Sequence, residues 1–149
     1  MSVMNDVAVV RAFTDNLRAG AIAACLELVT EDLVFSEAAS LPFGGDYHGK
    51  DGVLKLLRNV SRDYRVVLDA PEIVGGDAFV AVRVRGTMRS KATSAEMAMQ
   101  VLDVYQLRDG LISRIDVFYQ DPVAVARLIE ADSDHDSDHD AVQDAEVAP

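Results

Sequence analysis

The sequence predicts an α+β fold, an antiparallel sheet with helices on one face. Two observations carry this. Apolar residues recur at helical spacing through the first third of the chain, and a run of period-two strands joined by short turns follows. A third observation sets the scale: 149 residues, half of them hydrophobic, suffice for one domain with a proper core.

The elements follow in order. From Asp6, read as an N-cap, Val10, Phe13 and Leu17 mark a first helix. Gly20 interrupts it, and Ile22, Cys25, Leu26 and Val29 continue as a second. In "EDLVFSE", Leu33, Phe35 and Glu37 share one face of a short strand, and the small-residue stretch "AASLPFGGDYHG" reads as a loop. "KDGVLKLLRNV" places Val53, Leu56, Leu57 and Val60 on one helical stripe. Strands are then expected over 64–74, 78–89, 95–107 and 111–120, with "GGD" and "RDG" as turns. Asp121 and Pro122 open a closing helix in "DPVAVARLIE".

The net charge of −11 is concentrated at one end. From Ala131 onward the chain carries seven of its 25 acidic residues and no Lys or Arg, which leaves 18 acids against 14 bases in the body. Two units are therefore expected, a folded domain over 1–130 and a disordered acidic tail over 131–149. His135 and His139 lie four apart among carboxylates, but nothing preorganises them as metal ligands, and they are read as part of a solvated tail. The body has no basic patch, which argues against nucleic acid as a partner. A single cysteine, no signal-peptide pattern and no stretch of membrane-spanning length lead to the expectation of a soluble cytoplasmic protein that makes no membrane contact.

Two aspartates interrupt the last two strands, and parity separates them. Val80, Val82, Val84 and Met88 form an apolar face opposite Arg83, Arg85 and Arg89. In the next strand the odd positions Met97, Met99, Val101, Asp103 and Tyr105 are apolar apart from the aspartate. A two-residue turn at Asp109-Gly110 would pair Arg108 with Leu111 and set Asp103 against Asp116, like charge facing like. A three-residue turn with Gly110 left-handed instead pairs Val101 with Val117, Asp103 with Ile115 and Tyr105 with Ser113, apolar against apolar. That register is preferred. Asp103 then points inward, and Asp116 points outward beside Arg114.

This order of elements, with "GGDYHGKDGV" leading into the third helix and "VYQLRDGLISRIDVFYQDP" near the end, resembles the nuclear transport factor 2-like superfamily. Its members include ketosteroid isomerases, limonene epoxide hydrolases and SnoaL-like polyketide cyclases. The resemblance covers about residues 6 to 130. It implies a cone, a strongly curved sheet and helices enclosing an apolar pocket, and a homodimer formed through the outer sheet face. In ketosteroid isomerases a carboxylate base lies near the end of the first strand, where Glu37 stands here, and a protonated aspartate in the next-to-last strand, where Asp103 stands. The helix tyrosine that completes that oxyanion site is matched by Phe13, and the last-strand aspartate of the cyclases and epoxide hydrolases by Val117. No inward arginine is seen to pair with Asp103.

Glu37 as base, Asp103 as neutral oxyanion donor and Tyr119 as helper form the catalytic constellation expected. Burial should raise the Asp103 pKa, while Glu37, beside a Gly-rich loop at the mouth, should stay ionised. Phe13, Phe35, Phe43, Met88, Met97, Met99, Val101, Ile115 and Val117 would make the wall apolar, suited to a flat or polycyclic carbonyl compound. An alternative for Asp103 is a core acid satisfied by Tyr105, Ser113 or Tyr119; for Glu37 it is a solvent-facing strand end. Tyr47 is a further donor candidate, His48 an exposed loop histidine and Cys25 a small core residue. With no phosphate loop, zinc spacing or nucleophile elbow, no cofactor or metal is expected. The functional classes left open are an isomerase or cyclase, a binder of an apolar ligand, a divergent epoxide hydrolase, and an interaction protein using its dimer face and tail.

Overall fold

The computed structural model describes residues 2–130, so the acidic stretch over 131–149 lies outside the described residues. Helices α1 (Val3–Ala19) and α2 (Ile22–Leu26) lead into strands β1 (Val29–Glu37) and β2 (Gly45–His48), and helix α3 (Gly49–Asp63) comes next. Strands β3 (Tyr64–Leu68), β4 (Glu72–Gly75), β5 (Val80–Ser90), β6 (Glu96–Arg108) and β7 (Leu111–Tyr119) follow, and α4 (Pro122–Leu128) closes the domain. The seven strands form one curled sheet in the order β2-β1-β7-β6-β5-β3, with β4 added to β5. The sheet is mixed rather than purely antiparallel, because β1 runs parallel to β7. Among the described residues no helix is long and apolar enough to cross a membrane.

Several expected boundaries move, each for a local reason. Helix α1 starts earlier than Asp6, because Ser2 caps it by accepting the Asn5 N–H at 3.1 Å. The strand expected over 64–74 is two strands, β3 on residues 86–90 of β5 and β4 on residues 80–83. Pro71 lies in the break, where it has no N–H to give to the ladder. The "loop" before α3 contains β2, which pairs with β1 and folds Leu41 and Phe43 inward to 5% and 0% exposure.

The β6–β7 hairpin differs from both registers weighed above. Asp109 and Gly110 have φ of 54° and 81°, a two-residue turn of the type that matches strand twist. Arg108 therefore faces Leu111, but the register slips by one residue between Gln106 and Leu107. The extra residue is Ser113, whose hydroxyl donates to the Gln106 carbonyl at 3.1 Å. Beyond this bulge Asp103 pairs with Val117, not Ile115, and Tyr105 pairs with Ile115, not Ser113. Ile112 and Ile115 are consequently both fully buried despite their odd spacing. Asp103 still points inward and lines the cavity side of the sheet. Asp116 faces outward in an ion pair with Arg114 at 3.0 Å.

The concave face of the sheet carries the core. Val80, Val82, Val84 and Met88 of β5 meet Val101 and Tyr105 of β6 and Ile115 of β7, with α1 and α3 laid across them. Tyr64 anchors the last helix to this core by donating to the Val125 carbonyl at 2.6 Å.

Candidate active site

Between the helices and the concave face lies a cavity of about 530 Å³. Its floor comes from the strands: Phe35 and Glu37 of β1, Val84 and Met88 of β5, Met99, Val101, Asp103 and Tyr105 of β6, Val117 and Tyr119 of β7. Thr14, Leu17 and Arg18 of α1 and Leu56, Leu57 and Val60 of α3 form the roof, and the β3–β4 segment from Val66 to Pro71 closes one side. The exposed members, Arg18, Val67 and Asp69, mark the rim.

Glu37, Asp103 and Tyr119 are thus brought to one cavity by three neighbouring strands. Of the expected wall, Phe35, Met88, Met99, Val101 and Val117 line it. Phe13, Met97 and Ile115 do not. Phe13 is fully buried with its ring edge-on to Tyr105, Met97 sits at the far end of β6 opposite Met88, and Ile115 is enclosed between Phe35 and Tyr105. Phe43 packs behind Tyr119, with ring centroids 6.2 Å apart. Tyr47 is committed elsewhere: its hydroxyl donates to the Phe43 carbonyl at 2.8 Å and accepts from Asn59 at 3.0 Å. His48 is exposed at the start of α3, and the Cys25 thiol is buried, donating weakly to the Phe13 carbonyl.

The electrostatics reverse one expectation. Glu37 is not an exposed strand end; it is 8% exposed and lines the cavity beside Tyr119 and Asp103. Its Oε1 has no hydrogen-bond partner. Burial first, and the neighbouring Asp103 second, push its pKa from 4.5 to about 8, while the facing Tyr119 hydroxyl pulls the other way. Asp103 is surrounded by protein yet partly accessible from the cavity, and burial raises its pKa from 3.8 to about 7. Glu37 is therefore perturbed as Asp103 is, and is not an ordinary carboxylate. The two interact, so they titrate as a pair that holds at least one proton near neutrality. Burial and the same two carboxylates also push the Tyr119 phenol upward, so it stays a donor throughout.

The strand residues were legible from alternation, whereas the roof was not. Thr14, Leu17 and Arg18 read only as positions on an amphipathic helix, and nothing in their spacing separates cavity from core. Arg18 does bring an arginine to the cavity, but at its rim rather than beside Asp103 on the sheet. Its one ionic contact, with Asp15 at 3.9 Å, is a loose surface pair. The described residues contain no cluster of His, Cys, Asp or Glu suited to a metal ion.

A curled sheet closed by helices over an apolar cavity, with two carboxyls on its floor, defines a protein of the cone fold. The chain belongs to the SnoaL-like domain family, whose model matches residues 10–115. The fold is shared with an NTF2-like protein from Burkholderia xenovorans LB400, at TM-score 0.78 and 23% identity over 87% of this chain and 98% of that one. It is shared also with a protein from Xanthomonas campestris pv. campestris named a "putative polyketide cyclase", at TM-score 0.71 and 18% identity over 84% and 97% of the two chains. TerC, crystallised with polyporic acid, is similar at TM-score 0.69 and 20% identity over 85% and 98%. No curated protein matches the sequence.

Proposed function

We infer that the protein is a cofactor-independent acid–base catalyst, an isomerase or cyclase, acting on an apolar carbonyl compound. The observation that carries this is the Glu37 carboxylate: buried, with Oε1 unpartnered, on the wall of an apolar cavity that also presents Asp103. Leaving a buried polar oxygen unpaired costs stability, and its perturbed titration in a cavity is what proton transfer requires. In this reading the ionised member of the pair removes a proton beside the substrate carbonyl. The protonated member and Tyr119 hydrogen-bond the oxyanion that develops. Names of proteins sharing the fold, a polyketide cyclase among them, agree with such chemistry.

The active form carries one proton on the pair, which fixes the pH profile. With shifts to about 7 and about 8, turnover is expected to rise as the first carboxyl ionises and to fall as the second does. The test is a rate profile from pH 5 to 10 on a panel of enolisable polycyclic ketones. A plateau that begins near pH 5 would show an ordinary carboxylate at work and overturn the pair.

One observation favours a second reading, a pocket that binds without turnover. A Glu37 held neutral at pH 7 is a weak base, and a neutral carboxyl pair suits a hydrogen-bonding ligand equally well. A bound ketone recovered unchanged after prolonged incubation across the same pH range supports it.

We further propose that a second copy of the chain covers the outer sheet face. Leu102 and Phe118 pair across β6 and β7 there, 44% and 57% exposed. Phe118→Asp is expected to convert a dimer to monomer in sedimentation velocity; a wild-type chain that sediments as a monomer at high concentration refutes the proposal.

A further inference from the structure

The floor of the cavity holds one polar group that the acid–base reading leaves unused, Tyr105. It lies two residues beyond Asp103 on the same strand, so both side chains stand on the concave face, and its ring lines the cavity at 1% exposure. Its position is fixed from behind by Phe13, ring centroids 5.9 Å apart at 70°, and beside it by Ile115 and Val80 on the flanking strands. The buried tyrosines Tyr47 and Tyr64 both spend their hydroxyls on backbone carbonyls. Among the described residues the Tyr105 hydroxyl makes no such bond. A phenol this deep, held by rings and aliphatic chains and donating to nothing among the described residues, leaves a hydrogen bond to be made with whatever enters the cavity.

We propose that Tyr105 is a further ligand-contacting residue of this site, whose hydroxyl donates, together with the carboxyl of Asp103, to one oxygen of a bound enol, enolate or phenol. This rests on the acid–base reading and assigns it a second phenol donor, distinct from Tyr119 and on the Asp103 strand. Burial and the nearby Asp103 push the Tyr105 pKa upward, so the phenol keeps its proton over the working range and remains a donor. A ligand oxygen that carries negative charge gains most from such a donor, because charge-assisted bonds are about twice as strong as neutral ones.

The test compares 2-naphthol with naphthalene, which have the same shape with and without the oxygen, by fluorescence titration of the whole protein. Wild type is expected to prefer 2-naphthol. In Tyr105→Phe that preference is expected to fall about tenfold, the size of one hydrogen bond to a charged or strongly polar group. Naphthalene binding and the melting temperature are expected to hold, and the fraction of bound probe emitting as naphtholate should drop. Equal losses for both probes would make Tyr105 a packing residue and overturn the proposal. An unchanged preference in Tyr105→Phe, with that preference lost in Asp103→Asn, would overturn it while leaving the acid–base reading intact. A wild-type preference for naphthalene would overturn both. Labelling the chain with 3-fluorotyrosine gives a second readout without any substitution: the Tyr105 fluorine resonance is expected to move with 2-naphthol and not with naphthalene, and equal shifts refute the assignment.

Discussion

Glu37→Gln is expected to lose turnover by a factor of about 10² to 10⁴, the usual contribution of a positioned acid or base, while becoming more stable than wild type at pH 8. The two effects share one cause. In the folded protein the Glu37 pKa is raised from 4.5 to about 8, so between those values the native state holds a proton that the unfolded chain has released. Stability contributed by this proton is full below about 4.5 and is lost as the pH rises to about 8, at about 1.4 kcal/mol per pH unit. Glutamine keeps the shape of the side chain, removes the titration, and can bond the facing Tyr119 hydroxyl. Urea unfolding at pH 5, 6.5 and 8 checks this. The wild-type curve should descend more steeply with pH than that of the variant; parallel curves would mean that Glu37 is solvated, and the site as drawn would fall.

Gly86→Ala should have the largest effect on stability. Gly86 sits in β5 opposite Leu68 of β3 and Met99 of β6, next to the break between β3 and β4 where the sheet curls around the cavity. A Cβ built there would fall inside van der Waals contact of the Val67 carbonyl oxygen and lie 3.1 Å from the Leu68 Cα. Both obstacles are backbone, held by the β3–β5 ladder, so no rotamer change relieves the clash. Overpacking normally costs about 1 to 3 kcal/mol, and a contact of backbone on backbone belongs at or above the top of that range. Thermal and urea unfolding of the variant measure the loss. A change below about 1 kcal/mol would mean that β3 can withdraw from β5 without cost to the core. Because Val66, Val67 and Leu68 line one side of the cavity, the same variant should weaken binding of apolar probes.

Alternation and helical spacing determined much of this protein without further help. The apolar face of β5, the stripe of α3, the cap at Asp121 and the inward parity of Asp103 are all properties of residues near one another in the chain. Local sterics and side-chain direction decide such features, and both are written in the order of residue types. The tertiary structure decided what depends on distant segments. The bulge at Ser113 reconciles a two-residue turn with an apolar register, but period-two reading assumes a regular ladder and cannot place an inserted residue. The parallel pairing of β1 with β7 joins residues 80 or more positions apart, such as Phe35 and Ile115, and no local pattern encodes that choice. Glu37 stands at a strand end and reads as exposed, yet it is buried on the cavity wall beside Tyr119 and Asp103 of distant strands. Its raised pKa therefore belongs to tertiary burial and to Asp103, not to its own neighbours in sequence. Whether an apolar side chain lines a cavity or fills a core is likewise decided by what stands opposite it, which is why Met99 borders the cavity and Phe13, just as apolar, is packed behind Tyr105.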